Sequence, residues 1–245
     1  MEILENQIIG ELVAKDYRTA SIFKKYGIDF CCKGNRTINE ACEDKSINTK
    51  SILSDLKNIA QVQEGNTTDF KSWPLDLLAD YVEKKHHRYV EQKILEIKPF
   101  LDKICKVHGA NHPELLEINK HFKDTSDELT KHMKKEELII FPYIRALVQA
   151  KQKGTKVNTP HFGTVKNPIE MMMQEHVAEG ERFEKIAELS NKYTPPADGC
   201  TTYRVTYAML KEFEDDLHLH IHIENNILFP KAIELEKELE KQVVN

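Results

Sequence analysis

The chain has 245 residues, 35 Lys+Arg against 40 Asp+Glu and a formal net charge of −5. With 40% hydrophobic and 31% charged residues it suits amphipathic helices, and 9 Gly and 9 Pro are too few for a turn-rich all-β or low-complexity chain. A pI near 6.1 without a basic tail argues against nucleic acid as a partner, and no apolar run is long enough for a transmembrane span.

Met1-Glu2-Ile3-Leu4-Glu5-Asn6 has neither a basic start nor an apolar core, so no signal peptide is expected. The five cysteines (Cys31, Cys32, Cys42, Cys105 and Cys200) are odd in number and include an adjacent pair. That is a poor disulfide framework, and it points to a reducing compartment, the cytoplasm.

Periodicity and turn chemistry predict an all-α fold. Short helices are expected near Ile8–Ala14 and Arg18–Tyr26, followed by a turn-rich stretch from Tyr26 to Asn35 that holds Cys31 and Cys32. Thr37 is placed as the N-cap of a helix to about Asp44, and Asn48 or Thr49 as the cap of another through Ile59. The polar, aperiodic run Gln61–Thr68 reads as a linker. The expected layout is a small helical domain over 1–60, a linker over 61–72 and a second domain over 73–245. In that second domain four long helices are predicted at about 74–107, 113–151, 164–192 and 201–241, with modest connections that favour an up-down-up-down four-helix bundle.

Each bundle helix has an apolar stripe interrupted by a histidine. The stripes run Leu78, Val82, His86, Val90, Ile94, Ile97; then Leu129, His132, Met133, Glu136, Ile140, Tyr143, Leu147. The others run Ile169, Met172, Met173, His176, Gly180, Phe183 and Phe213, Leu217, His220, Glu224, Leu228. The pattern is doubly periodic: His132-x3-Glu136-x4-Phe141-Pro142 recurs 88 residues later as His220-x3-Glu224-x4-Phe229-Pro230. Chance produces such a second copy in on the order of two in a thousand chains of this composition. Steps of 46 residues from His86 to His132 and 44 from His176 to His220 return a helical hairpin to one level.

A lone histidine in a stripe is more often a satisfied core residue, and a lone His-x3-Glu a surface pair. Six in matched stripes are different. Two anions and four imidazoles in one buried layer require compensation, which metal ions supply. Bridging carboxylates, four imidazoles and an oxo or hydroxo bridge leave two six-coordinate ions with one open position each. Iron suits this donor set; zinc or manganese are substitutes, and a closed structural zinc site would be Cys-rich. Among the other histidines, His87 lies about 100° round the helix from His86. His218 and His222 form an i,i+4 pair on the polar face, read as solvated or as supporting the ligands from behind, and His121 lies about 16 Å along the axis from His132. Met171–Met173, Cys42, Cys105 and Cys200 are assigned to packing.

The combination of Asp29-Phe30-Cys31-Cys32-Lys33-Gly34, His132 through Pro142, Glu175-His176, Thr194-Pro195-Pro196 and Glu224 through Pro230 resembles the iron–sulfur cluster repair di-iron proteins, the RIC family (ScdA/YtfE), over nearly the whole chain. The resemblance implies a haemerythrin-like bundle in which His86, His132, Glu136, His176, His220 and Glu224 hold two non-haem irons, with Glu136 and Glu224 bridging. The family's first ligand sits in a Tyr-His-Asp-Arg-His segment, whereas this chain reads Lys85-His86-His87-Arg88-Tyr89, which leaves His87 a small claim. Glu128 and Glu175 match acidic residues placed at the access to the irons. The vicinal thiols Cys31 and Cys32 are candidates for redox chemistry or for accepting nitrosyl or iron. The implied role is repair of clusters in damaged iron–sulfur proteins, by iron donation or by reduction of nitric oxide to N2O, only the latter making it an enzyme. An O2 or NO sensor without turnover, and a structural zinc bundle, are the alternatives. A homodimer through the N-terminal domain is compatible with this layout.

Overall fold

The computed structural model describes residues 3–61 and 68–244; half of the expected 61–72 linker, residues 62–67, lies outside the described residues. The secondary structure is helical throughout, with no strand among the described residues beyond one isolated bridge between Ile8 and Thr37. The short helices are α1 (Ile9–Lys15), α2 (Thr19–Lys25), α3 (Ile38–Asp44) and α4 (Thr49–Gln61). They are followed by α5 (Leu75–Tyr81), α6 (Arg88–His108), α7 (Glu114–Lys135), α8 (Phe141–Lys153), α9 (Lys166–Leu189), α10 (Thr201–Ile223) and α11 (Phe229–Val244). Three π-helical turns, Val82–His87, Glu136–Ile140 and Glu224–Leu228, join α5 to α6, α7 to α8 and α10 to α11. The four predicted long helices therefore appear with their ends within about two or three residues, three of them carrying an unpredicted π turn.

Two of these turns have a local cause. Pro142 and Pro230 have no N–H to donate, and each ring crowds the carbonyl four residues back, at Leu138 and Asn226. Both carbonyls lie inside the π turns, where the wider loop relieves the clash. The extra residue also rotates the helix beyond it. Past Ile140 the buried face moves to Phe141, Ile144 and Leu147, so Tyr143 leaves the predicted stripe and is only half-buried. In α9, Met172 is core, whereas Met171 and Met173 are exposed.

The chain divides into two compact units. One comprises Ala79–Ala146 and Asn158–His220. Its four long helices pack through Phe213 of α10, whose ring meets Phe122 of α7 at 5.4 Å, Phe183 of α9 at 5.6 Å and Tyr89 of α6 at 6.4 Å. The other contains the described residues of Met1–Leu78 with Leu147–Val157 and Ile221–Asn245. Its core includes Ile9, Leu12, Phe23, Ile38, Ile52 and Leu56. Helix α3 begins at the predicted cap: Thr37 Oγ1 accepts from the Glu40 amide, and Glu40 accepts from the Thr37 amide at 2.7 Å. All five cysteines are thiols.

Candidate metal centre

The first unit gathers five histidines and one glutamate, all buried: His86, His87, His132, His176, His220 and Glu136. Three of the histidines are oriented in the same way. His86 Nδ1 is 3.0 Å from Asp216, His87 Nδ1 is 3.0 Å from Glu137, and His132 Nδ1 is 2.8 Å from Glu175. An ionised carboxylate only accepts, so each Nδ1 carries the proton and each Nε2 presents a lone pair. The carboxylates are themselves held: Glu137 by Lys134 at 2.6 Å and by Arg88, Glu175 by Lys135. The hydrogen bond with His132, aided by Lys135, pulls the Glu175 carboxyl down to about 2. Glu175 thus orients the His132 ring. Glu128 is exposed and pairs with Lys131 at 3.0 Å.

The Nε2 atoms converge on Glu136. His132 Nε2 lies 3.4 Å from one of its oxygens and His87 Nε2 lies 3.4 Å from the other. His132 and His176 face each other Nε2 to Nε2 at 3.0 Å. Donor atoms of His132, Glu136 and His176 lie mutually within 4.8 Å, and so do those of His87, Glu136 and His220. His86 stands beside this second group, its ring stacked on His220 at 5.5 Å. Two donors at right angles on an ion with bonds of about 2.1 Å stand about 3.0 Å apart. The separations and the imidazole–carboxylate chemistry therefore fit first-row metal ions, with Glu136 shared by both groups. Glu224 is buried and opens its own π turn one turn after His220, as Glu136 does after His132.

Two groups here, one buried and one half-buried, escape sequence reasoning. Glu179 follows His176 by three residues, where the stripe predicts Gly180; it is 4% exposed, burial raises its carboxyl, and Arg182 pairs with it. Asp216 gave no signal either, because its significance lies in a histidine 130 positions away.

In the other unit, Cys31 is buried and Cys32 half-buried, their sulfurs 3.8 Å apart. Asp29 shapes the turn by accepting from both amides, at 3.0 and 2.9 Å. Cys32 and burial push the Cys31 thiol well above its usual range. The two residues after Glu224 grip this turn: Asn225 donates to the Cys31 carbonyl at 3.2 Å, and Asn226 to those of Phe30 and Cys31 at 3.3 and 3.4 Å. Asn226 also donates to His222 Nδ1 at 3.1 Å. His222 is not on a solvated face as its phase suggests. It is 1% exposed, packed against Tyr17 and Phe30, and burial holds it down to about 3. Cys200 also departs from expectation. It is exposed at the start of α10, and amides of that helix and His108 at 3.2 Å lower its thiol to about 7.

A helical protein with this buried His/Glu cluster falls in the class defined by the hemerythrin HHE cation binding domain, whose family model matches residues 79–232. A second family model, a domain of unknown function (DUF542), matches residues 5–60. The iron-sulfur cluster repair protein ScdA of Staphylococcus haemolyticus is 31% identical, covering 94% of this chain and 99% of that protein. The iron-sulfur cluster repair protein YtfE of Escherichia coli O8 is 32% identical, covering 93% and 97%. ScdA of Staphylococcus epidermidis is 29% identical, covering 94% and 99%. The chain belongs to this ScdA/YtfE family. No helix among the described residues is long and apolar enough to cross a membrane.

Proposed function

We propose that this chain holds a non-haem di-iron centre and serves in the repair of iron–sulfur proteins damaged by nitrosative or oxidative stress, by donating iron, by reducing nitric oxide, or by both. The observation that carries this reading is the convergence of oriented imidazole Nε2 atoms on the two oxygens of Glu136, at 3.4 Å each. The names of the ScdA and YtfE relatives, which span nearly the whole chain, point the same way. His86, His132, His176 and His220 are the imidazole ligands, and Glu136 and Glu224 are the bridging carboxylates. A pair of ferrous ions so held supplies reducing electrons and open positions for a small ligand such as NO or O2, and is itself a transferable iron store.

The chain's own groups prepare the site. Asp216 and Glu175 fix the proton of their histidines on Nδ1, which keeps Nε2 a donor. The burial of Glu136 excludes competing water. The adjacent thiols Cys31 and Cys32 belong to an N-terminal domain over 1–60, joined through 61–72 to the metal-holding domain over 73–245. Five thiols suit a cytoplasmic setting.

The test is elemental analysis of protein purified without oxygen, beside a His132→Ala, His220→Ala double variant. About two irons per chain, falling by more than half in the variant, is the expected result. No iron, or a single zinc indifferent to both substitutions, would overturn the reading.

A further inference from the structure

His86 and His87 are adjacent, yet both are 0% exposed. On an α-helix neighbours point about 100° apart, so one of them would leave the stripe. The π turn Val82–His87 ends on this pair, and its wider winding lets both face inward. The two rings have separate supports. His86 Nδ1 rests on Asp216 of α10, and His87 Nδ1 on Glu137 of the Glu136–Ile140 turn.

The placement of His87 is that of a donor. Its Nδ1 is 3.0 Å from Glu137, which Lys134 and Arg88 hold in place, so Nε2 is the ring nitrogen directed at the cluster. That Nε2 faces the Glu136 oxygen opposite the one that faces His132. Its ring centroid is 5.1 Å from that of His220, and His87, Glu136 and His220 offer donor atoms mutually within 4.8 Å.

We infer that His87 is an additional metal ligand, a fifth imidazole held jointly with His86, on the side of Glu136 that His220 shares. This rests on the di-iron reading above. Six ligands and a bridge leave two positions open, one on each ion; a fifth imidazole closes one of them. The centre is then asymmetric, with a saturated ion on the His87 and His220 side and an open ion on the His132 and His176 side. Small anions and diatomic ligands bind at one ion only.

The experiment is an azide titration of the ferric protein, followed by the azide-to-iron absorption band, on wild type and on His87→Ala and His87→Gln. Iron content and helical circular dichroism are recorded alongside. Wild type is expected to take up one azide per chain, and each variant to keep its irons and take up a second azide. Two azides per chain in the wild type, or variants with unchanged azide stoichiometry, would overturn the role of His87 and leave the di-iron centre standing. A wild type without iron would sink the di-iron reading itself, and this inference with it. If neither variant retains iron, the wild-type stoichiometry alone decides: one azide upholds the assignment and two reject it.

Discussion

The two copies of His-x3-Glu-x4-Phe-Pro, at 132–142 and 220–230, share everything that periodicity can specify. In each, an α-helix delivers a buried histidine, the glutamate opens a five-residue π turn, and Phe-Pro restarts the helix. They diverge at the two residues after the glutamate. In the first copy these are Glu137, which accepts from His87 Nδ1, and Leu138, which is 73% exposed. In the second they are Asn225 and Asn226, whose side-chain amides hold the backbone of the Cys31 turn. The buried histidine and glutamate are the repeated part of the motif, and the π turn offers the next two positions for separate tasks. One copy supports an imidazole; the other clamps a dithiol.

Converting the second copy into the first is the strongest challenge to this division. Asn225→Glu with Asn226→Leu removes the donors to the Phe30 and Cys31 carbonyls and sets a carboxylate beside them. We expect a loss of about 3–5 kcal/mol in urea unfolding, and alkylation of Cys31 and Cys32 at least ~10-fold faster. Stability and alkylation at wild-type values would mean that the asparagines hold nothing.

Gly10→Ala tests the same clamp from the opposite side. A Cβ there would stand 2.2 Å from Asn226 Oδ1 and 3.1 Å from the Gly34 carbonyl, so Asn226 must abandon its bonds. A cost of about 1–3 kcal/mol is expected, with iron content unchanged. A neutral substitution would show the clamp to be slack.

The mildest test compares thiols without altering the fold. Deprotonation creates the reactive thiolate, so alkylation accelerates as pH rises through each thiol's pKa. Cys200 should reach half its maximal rate near pH 7, the position its helix amides and His108 confer. Cys31, raised by Cys32 and burial, should stay slow at pH 8 while the clamp is intact. Equal rates for the two at pH 7 would remove the contrast between an exposed thiolate and a clamped dithiol.

What the sequence determined by itself is whatever depends on neighbours a few positions apart. Helix extents come from apolar spacing and breakers. The Thr37 cap comes from the glutamate three residues on, and the stripes with candidate ligands from His and Glu in phase. Six candidate ligands were legible for that reason, and the burial of all six agrees with their phase. The tertiary structure decided which atoms those residues present. The carboxylates that orient His86, His87 and His132 lie 130, 50 and 43 positions away, and no local pattern announces them. His222 has the phase of a surface residue but is buried by Tyr17 and Phe30. A fixed 3.6-residue period misplaces Tyr143 and His87 because it cannot register a π turn, whose one extra residue turns every later side chain to a new face.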